Sequence, residues 1–463
     1  MPKMKKDQIE ELAAIVGPEN ISTEPLELEV YSRDPTVVRG SAEAVVWPTS
    51  TEAVSKIMIF ANRSKIRVYP RGAGSSLCGG PVPLEPGLVL SLERMNKILE
   101  IDVENLQFLA EAGVSIREIN DRLKPLNLFI PPDPASEVAC TIGGCVANNA
   151  GGIHAVKYGT FRDWVLGVEL VLPTGEIVST GTKTRKSVSG YDLTGLITGS
   201  EGTLAIITRV RARVIAIPES RMVTTAYFKT PEDAGRAAFK IMVGGLNPSA
   251  IELLDKITMY TISQYLRMKL PEAGSMLILE FDGPRSDVDY RMGLAEKICR
   301  QEGVTEVKIS ATEQESLDLW NARKTAFQSL AVLGKTSILI EDITVPLSKI
   351  TEMLRRIHEI SEKHGILVPT FGHVGDGNLH PHVLYDEENK EEYQRAMDAT
   401  DEIFKTAVEL DGTISGEHGI GVLKKKFFPL EHAPEETTVM LKIKGLFDPN
   451  NILNPNKIFP SRE

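Results

Sequence analysis

At 463 residues, with 42% hydrophobic and 25% charged content, the chain has the length for two or three domains, and its composition argues against a disordered or fibrous protein. A formal net charge of -11 argues against nucleic acid or an anionic bilayer as partner, because both need a basic surface. It leaves open the character of an internal pocket.

The N-terminus has a basic start but no apolar core or cleavage site. It reads as a short amphipathic helix with Ile9, Leu12, Ala13 and Val16 on one face. No run of about 18 apolar residues occurs, so no membrane span is predicted and a cytoplasmic location is expected. Pro48-Thr49-Ser50 offers a hydroxyl N-cap to a helix patterned by Ala53, Val54, Ile57, Met58 and Ala61. Ile66–Tyr69 then reads as a strand running into a glycine loop, Leu88–Leu92 and Phe108–Ala112 as strands, and Ser115–Lys124 as a helix. Ile217-Pro218 marks a boundary. Beyond it, strands at Thr224–Phe228, Met276–Phe281 and Ser337–Ile343 alternate with helices near 232–243, 285–302 and 346–364, a sheet covered by helices. The tail from Phe447 is rich in Asn and Pro yet keeps Ile452, Leu453 and Ile458, so it is expected to dock back onto the body.

The predicted class is α+β, in four parts. These are an N-terminal helical segment (1–45), a cofactor domain (46–216), a cap or substrate domain (217–420) and a returning C-terminal segment (421–463). Four cysteines lack CxxC spacing, which predicts no disulfide framework. Cys140 and Cys145 are poorly spaced for a metal or cluster, so an iron–sulfur relay would have to lie on another polypeptide.

Three segments crowd glycine beside small polar residues: Arg71–Gly80, Thr141–Gly152 and Gly199–Thr203. Glycine lets successive N–H groups face one phosphate, but tight turns use the same residues. None matches the Walker or Rossmann pattern. The segment from Thr370 to His382 (TFGHVGDGNLHPH) carries the strongest chemical signal. With Asp376-Gly377 as a two-residue turn, His373 would face His380 across the ribbon, with His382 two residues on. Three imidazoles then share one face, out of eight histidines in the chain. Ser415-Gly-Glu-His-Gly419 adds a carboxylate and an imidazole. Two histidines and a carboxylate suit a divalent ion, and hydrogen-bonded polar core residues are the alternative.

Arg71-Gly-Ala-Gly-Ser-Ser, Pro131-Pro-Asp-Pro, Thr141-Ile-Gly-Gly, Asn148-Asn-Ala-Gly-Gly, Tyr158-Gly and Gly199-Ser-Glu-Gly-Thr-Leu together resemble the vanillyl-alcohol-oxidase, or PCMH-type, FAD domain. The resemblance runs over nearly the whole chain and is nearest the D-lactate, glycolate and D-2-hydroxyglutarate dehydrogenase branch. It implies that Gly72, Ala73, Gly74, Ser75 and Ser76 hold the FAD pyrophosphate, with Arg71 also in the cofactor site. It also sets Pro132, Thr141, Gly144, Asn149, Gly151, Tyr158, Glu201 and Ile206 around the rest of the cofactor. Some relatives tether FAD through a histidine where this chain has Ser75, so the flavin is expected to be non-covalent.

By the same resemblance, His373, His380 and Glu417 bind zinc or another divalent ion such as iron or manganese, and His418 is the general base. Arg323 resembles the arginine that clamps the substrate carboxylate, although a lone helical arginine also suits a solvated face. His382 stands where D-2-hydroxyglutarate dehydrogenases have asparagine, and Phe327 where they have threonine, so a short or apolar substrate tail such as that of D-lactate is expected.

The implied reaction takes a hydride from the 2-hydroxy acid to the flavin N5 while His418 removes the hydroxyl proton. Glycolate or D-2-hydroxyglutarate oxidation is the alternative within this branch, and an FAD electron relay without its own substrate is the alternative outside it. The expected acceptor is a partner protein, an electron-transferring flavoprotein or an iron–sulfur subunit. Homo-oligomerisation stays open.

Overall fold

The computed structural model describes residues 4–460, so the basic Met1-Pro2-Lys3 start lies outside the described residues. The fold is α+β and divides into two compact units. The first comprises the chain to Gly151, Gly159–Ile217 and Glu417 onward. The second comprises Gly152–Tyr158 and Pro218–Gly416.

The first unit holds two main sheets. One runs Ile21–Ser22, Ala42–Val46, Gly87–Ser91, Val68–Arg71, its last three strands parallel. Gly87–Ser91 is buried along its whole length, as an inner parallel strand must be. The other is antiparallel, in the order Ile98–Asp102, Gln107–Glu111, Ile206–Arg213, Val165–Val171, Ile177–Ser179. The helix Thr51–Ser64 begins as its sequence predicts, with the Ser50 hydroxyl accepting from Ala53 N at 3.2 Å. The strand after it starts at Val68, two residues later than expected. Ile66 is consumed by the helix end, where Lys65 is left-handed (φ +55°) and the Ile66 N–H closes back onto Ala61 O at 2.9 Å.

The C-terminal tail docks back. Leu453 bridges Val68 in parallel, Val68 N donates to Ile452 O at 2.7 Å, and Ile452 and Leu453 join the core that contains Val54, Ile57 and Val68. Both oxygens of buried Asp448 accept backbone N–H groups, from Ile452 and Leu453, which shapes a segment with no regular hydrogen bonding.

The second unit is built on an eight-stranded antiparallel sheet. Its order is Glu306–Ile309, Ser220–Phe228, Ser275–Gly283, Ala250–Asp255, Thr370–His373, Asn378–Tyr385, Ser337–Ile340, with Ile343–Thr344 also beside Asn378–Tyr385. The expected single strand Ser337–Ile343 is thus two. Pro231–Val243, Arg285–Gln301 and Ile350–His364 are the helices that the sequence periodicity predicts.

The division differs from the expected one in three places. The N-terminal segment is not separate, since Leu12 sits in the first unit's core. Gly152–Tyr158 joins the second unit, because His154 bonds Glu280 (3.0 Å) and Tyr158 donates to Asp282 (2.6 Å), with Lys157 paired to the same aspartate. The return to the first unit comes at Glu417 rather than 421. There, Ile420 N and Gly421 N donate to the buried Glu201 carboxylate at 2.8 and 2.7 Å. Among the described residues no helix is long and apolar enough to cross a membrane.

Candidate active site

In the first unit the glycine segments converge. The loop after Val68–Arg71 carries Gly72, Ala73, Gly74, Ser75 and Ser76, all half-buried. Thr141 caps the helix Ile142–Asn148, its hydroxyl accepting from Gly144 N at 3.3 Å. The same hydroxyl sits where a Cβ on Gly72 would be, so only glycine lets the first two loops approach so closely. Backbone N–H groups with serine and threonine hydroxyls are a donor set that fits a diphosphate, and the Arg71 side chain closes against Gly74 within the loop.

The expected cofactor residues take distinct places around it. Arg71 is buried, donates to Arg33 O at 2.7 Å and lies over the Tyr31 ring, so its guanidinium is committed to the fold. Asn149 is left-handed, and its Oδ1 accepts from the Thr160 hydroxyl and Arg162 N. Pro132, Gly151 and Ile206 are buried and Gly144 is exposed. Tyr158 lies in the second unit, where burial and then Asp282 push its phenol above the ordinary range.

The tail braces this cradle, a contribution that the sequence reading missed. Lys457 Nζ donates to Gly79 O (2.6 Å) and Val82 O (2.7 Å), and Asn454 Nδ2 donates to Glu201 O (2.9 Å) and Gly80 O (3.2 Å). Burial raises the pKa of Glu201 and lowers that of Lys457 to about 8. His418 is anchored in the first unit by its carbonyl, which accepts from Cys78 Sγ (3.1 Å) and Asn148 Nδ2 (3.2 Å). Glu417 opens the same returning segment.

The second unit gathers Arg323, His373, His380 and His382. The hairpin register corrects the expected one: His373 pairs with Asn378 and Phe371 with His380. Val374–Gly377 is a four-residue loop, closed by Asp376 N to His373 O (3.2 Å) and Asn378 N to Asp376 Oδ1 (3.2 Å). A two-residue turn of the expected type needs positive φ at both centres, and here Gly377 has it (φ +87°) while Asp376 does not. The slip is two residues, and side chains alternate with period two, so the three histidines keep a common face. The rings of His373 and His380 are 5.1 Å apart and nearly perpendicular. His382 stacks on Phe371 at 4.3 Å, and Phe327 lies 5.7 Å from His382.

Two buried carboxylates went unrecognised in the sequence. Glu252, fully buried on Ala250–Asp255, accepts from Arg323 Nε and His373 Nδ1, each at 2.6 Å. Burial would raise its pKa, but Arg323 and His373 outweigh that and lower it. Asp342 sits 3.7 Å from His380 Nδ1 and accepts from Asn378 Nδ2 and the Ser415 hydroxyl, both at 2.8 Å. Neither acid lies in a motif. Their only sequence signal is a charge inside an apolar strand run (Ala250–Asp255 and Ser337–Thr344). Imidazole nitrogens beside carboxylate oxygens are a donor set that suits a divalent ion.

One unit thus carries a glycine-rich cradle that suits a diphosphate, and the other gathers an arginine, imidazoles and acids. The FAD binding domain family matches residues 42–181, and the family described as FAD linked oxidases, C-terminal domain, matches 217–458. The glycolate oxidase subunit GlcD of Bacillus subtilis is 41% identical over 98% of this chain and 97% of its own length. A D-lactate dehydrogenase of Archaeoglobus fulgidus is 38% identical over 92% of this chain and 93% of its own. The fold is shared with 4-ethylphenol oxidase from Gulosibacter chungangensis, at TM-score 0.81 and 20% identity over 98% of this chain and 97% of that one. The chain belongs to the FAD-linked oxidases, flavoprotein oxidoreductases with a PCMH-type FAD-binding domain.

Proposed function

We propose that the protein oxidises a small D-2-hydroxy acid, D-lactate foremost, to the 2-oxo acid. The observation that carries this reading is the setting of Arg323. Its buried guanidinium lies 4.9 Å from the Phe371 ring, and His382 and Phe327 continue the ring surface. That provides one cation for one carboxylate, beside aromatic walls that suit a short tail.

Gly72 to Ser76, with Thr141 and its neighbours, would hold FAD without a covalent bond. His373, His380 and Glu417 would hold a divalent ion, zinc or iron or manganese. Bound FAD supplies a hydride acceptor, and a bound divalent ion acidifies a coordinated hydroxyl. Arg323 orients the substrate by its carboxylate. His418 takes the hydroxyl proton while the hydrogen on the adjacent carbon leaves with its electron pair and the carbonyl forms.

Glycolate is the second reading, favoured by the full-length likeness to a glycolate oxidase subunit. That relative's being a subunit supports a protein partner; the acceptor proposed here is an electron-transferring flavoprotein or an iron–sulfur subunit, and the proposed setting is cytoplasmic. A panel of D-lactate, L-lactate, glycolate and D-2-hydroxyglutarate, each run with artificial and protein acceptors, tests the proposal. D-lactate should give the highest kcat/KM, and failure to oxidise any of the four would overturn it.

A further inference from the structure

We propose that Glu252 is the positioning residue of this site, one carboxylate that sets both the substrate-clamping arginine and a metal-binding histidine. The inference rests on the roles proposed above for Arg323 and His373. The register of Ala250–Asp255 against Thr370–His373 pairs Leu253 with Gly372 and Leu254 with Phe371, which brings Glu252 level with His373. Level neighbours on adjacent strands share a face. Each oxygen of Glu252 takes one partner, Oε1 the His373 Nδ1 and Oε2 the Arg323 Nε, both at 2.6 Å, with no exposure of the carboxylate.

Two consequences follow. A His373 that donates through Nδ1 carries its proton there, which leaves Nε2 as the ligand nitrogen and sets the ring's direction. An arginine gripped at Nε presents its two terminal nitrogens together, the pair that grips a carboxylate in bidentate fashion. A purely structural partner for buried Arg323 would need only the arginine contact. The second bond, to the histidine, ties the clamp to the metal ligand.

The test uses flavin-loaded protein stripped of metal with a chelator. Glu252→Gln nearly preserves shape and removes the charge. Its zinc affinity, measured with zinc alone against a chromogenic competitor, should fall about 10–100-fold. KM for D-lactate should rise about tenfold or more, with flavin content unchanged. In an Arg323→Ala background the KM effect of Glu252→Gln should vanish while the zinc effect persists, a separation that a merely structural role would not give.

Glu252→Asp keeps the charge but is too short to span both partners, and should lose one effect and keep the other. His373→Ala distinguishes a failure of the proposed metal site from a failure of the role of Glu252. If it binds zinc as wild type does, the metal reading fails and the inference with it. If it loses zinc while Glu252→Gln matches wild type in zinc affinity and KM, the inference alone fails. Loss of flavin in both Glu252 variants would assign the residue to folding and overturn the proposal.

Discussion

Arg323 and Glu252 form an ion pair that is buried on both sides, Nε to Oε2 at 2.6 Å. An arginine held this way can give a substrate carboxylate two parallel hydrogen bonds, which a lysine cannot. Arg323→Lys should therefore raise KM for D-lactate about tenfold or more, retain FAD, and change stability little because Glu252 keeps a cation beside it. Steady-state kinetics with a flavin assay checks this. An unchanged KM would mean that the carboxylate binds elsewhere.

Two buried carboxylates give opposite pH dependences. Burial would raise Glu280, but His154 leads the interactions that bring it down to about 2, with Arg221 and Ser249 adding to the effect. Its folded pKa lies below the ordinary 4.5, so its contribution is full above about 4.5 and disappears as pH falls towards 2. That contribution is on the order of 3 kcal/mol. Asp255, raised by burial to about 6, has the reverse sign: it favours the fold below about 4 and costs stability as pH rises through 6. Thermal melts from pH 7 to pH 3 should show the deficit of Glu280→Gln shrinking at the acid end. A deficit independent of pH would contradict this.

Lys457 reaches from the tail to Gly79 O and Val82 O, and so braces the first glycine loop from behind. Lys457→Met removes both bonds and deprives the Val82 carbonyl of its donor, at about 1–3 kcal/mol, while Gly79 O keeps its bond from Val82 N at 3.3 Å. It should weaken FAD binding about tenfold or more without lowering KM for substrate. In the unmodified protein, acid precipitation should release the yellow colour to the supernatant. Flavin retained in the pellet would point to a covalent bond.

The first unit was legible because its signals are local. The Ser50 cap, the glycine-rich composition of the loops and the apolar Ile452 and Leu453 in a polar tail can each be read within a few positions, although the contacts that they make are distant. The hairpin histidines were legible by parity alone, since a slip of two residues leaves every side chain on its face even though the turn was misassigned. What stayed hidden depends on long-range register. Glu252 meets His373 across 121 positions, and Lys457 meets Gly79 across 378. A charge in an apolar strand, or in an irregular tail, cannot announce its partner. The docking of Gly152–Tyr158 was hidden for the same reason, because His154 and Tyr158 find their acids on the strand Ser275–Gly283.

The central claim is that this flavoprotein takes a hydride from a D-2-hydroxy acid with His418 as base. Anaerobic rapid mixing of flavin-loaded protein with D-lactate, followed in the visible flavin bands, tests it most directly. The bands should bleach with D-lactate far faster than with L-lactate, and His418→Asn should slow the bleaching about 10²–10⁴-fold while keeping the flavin. Bands that stay unchanged with D-lactate, glycolate and D-2-hydroxyglutarate alike would contradict the account.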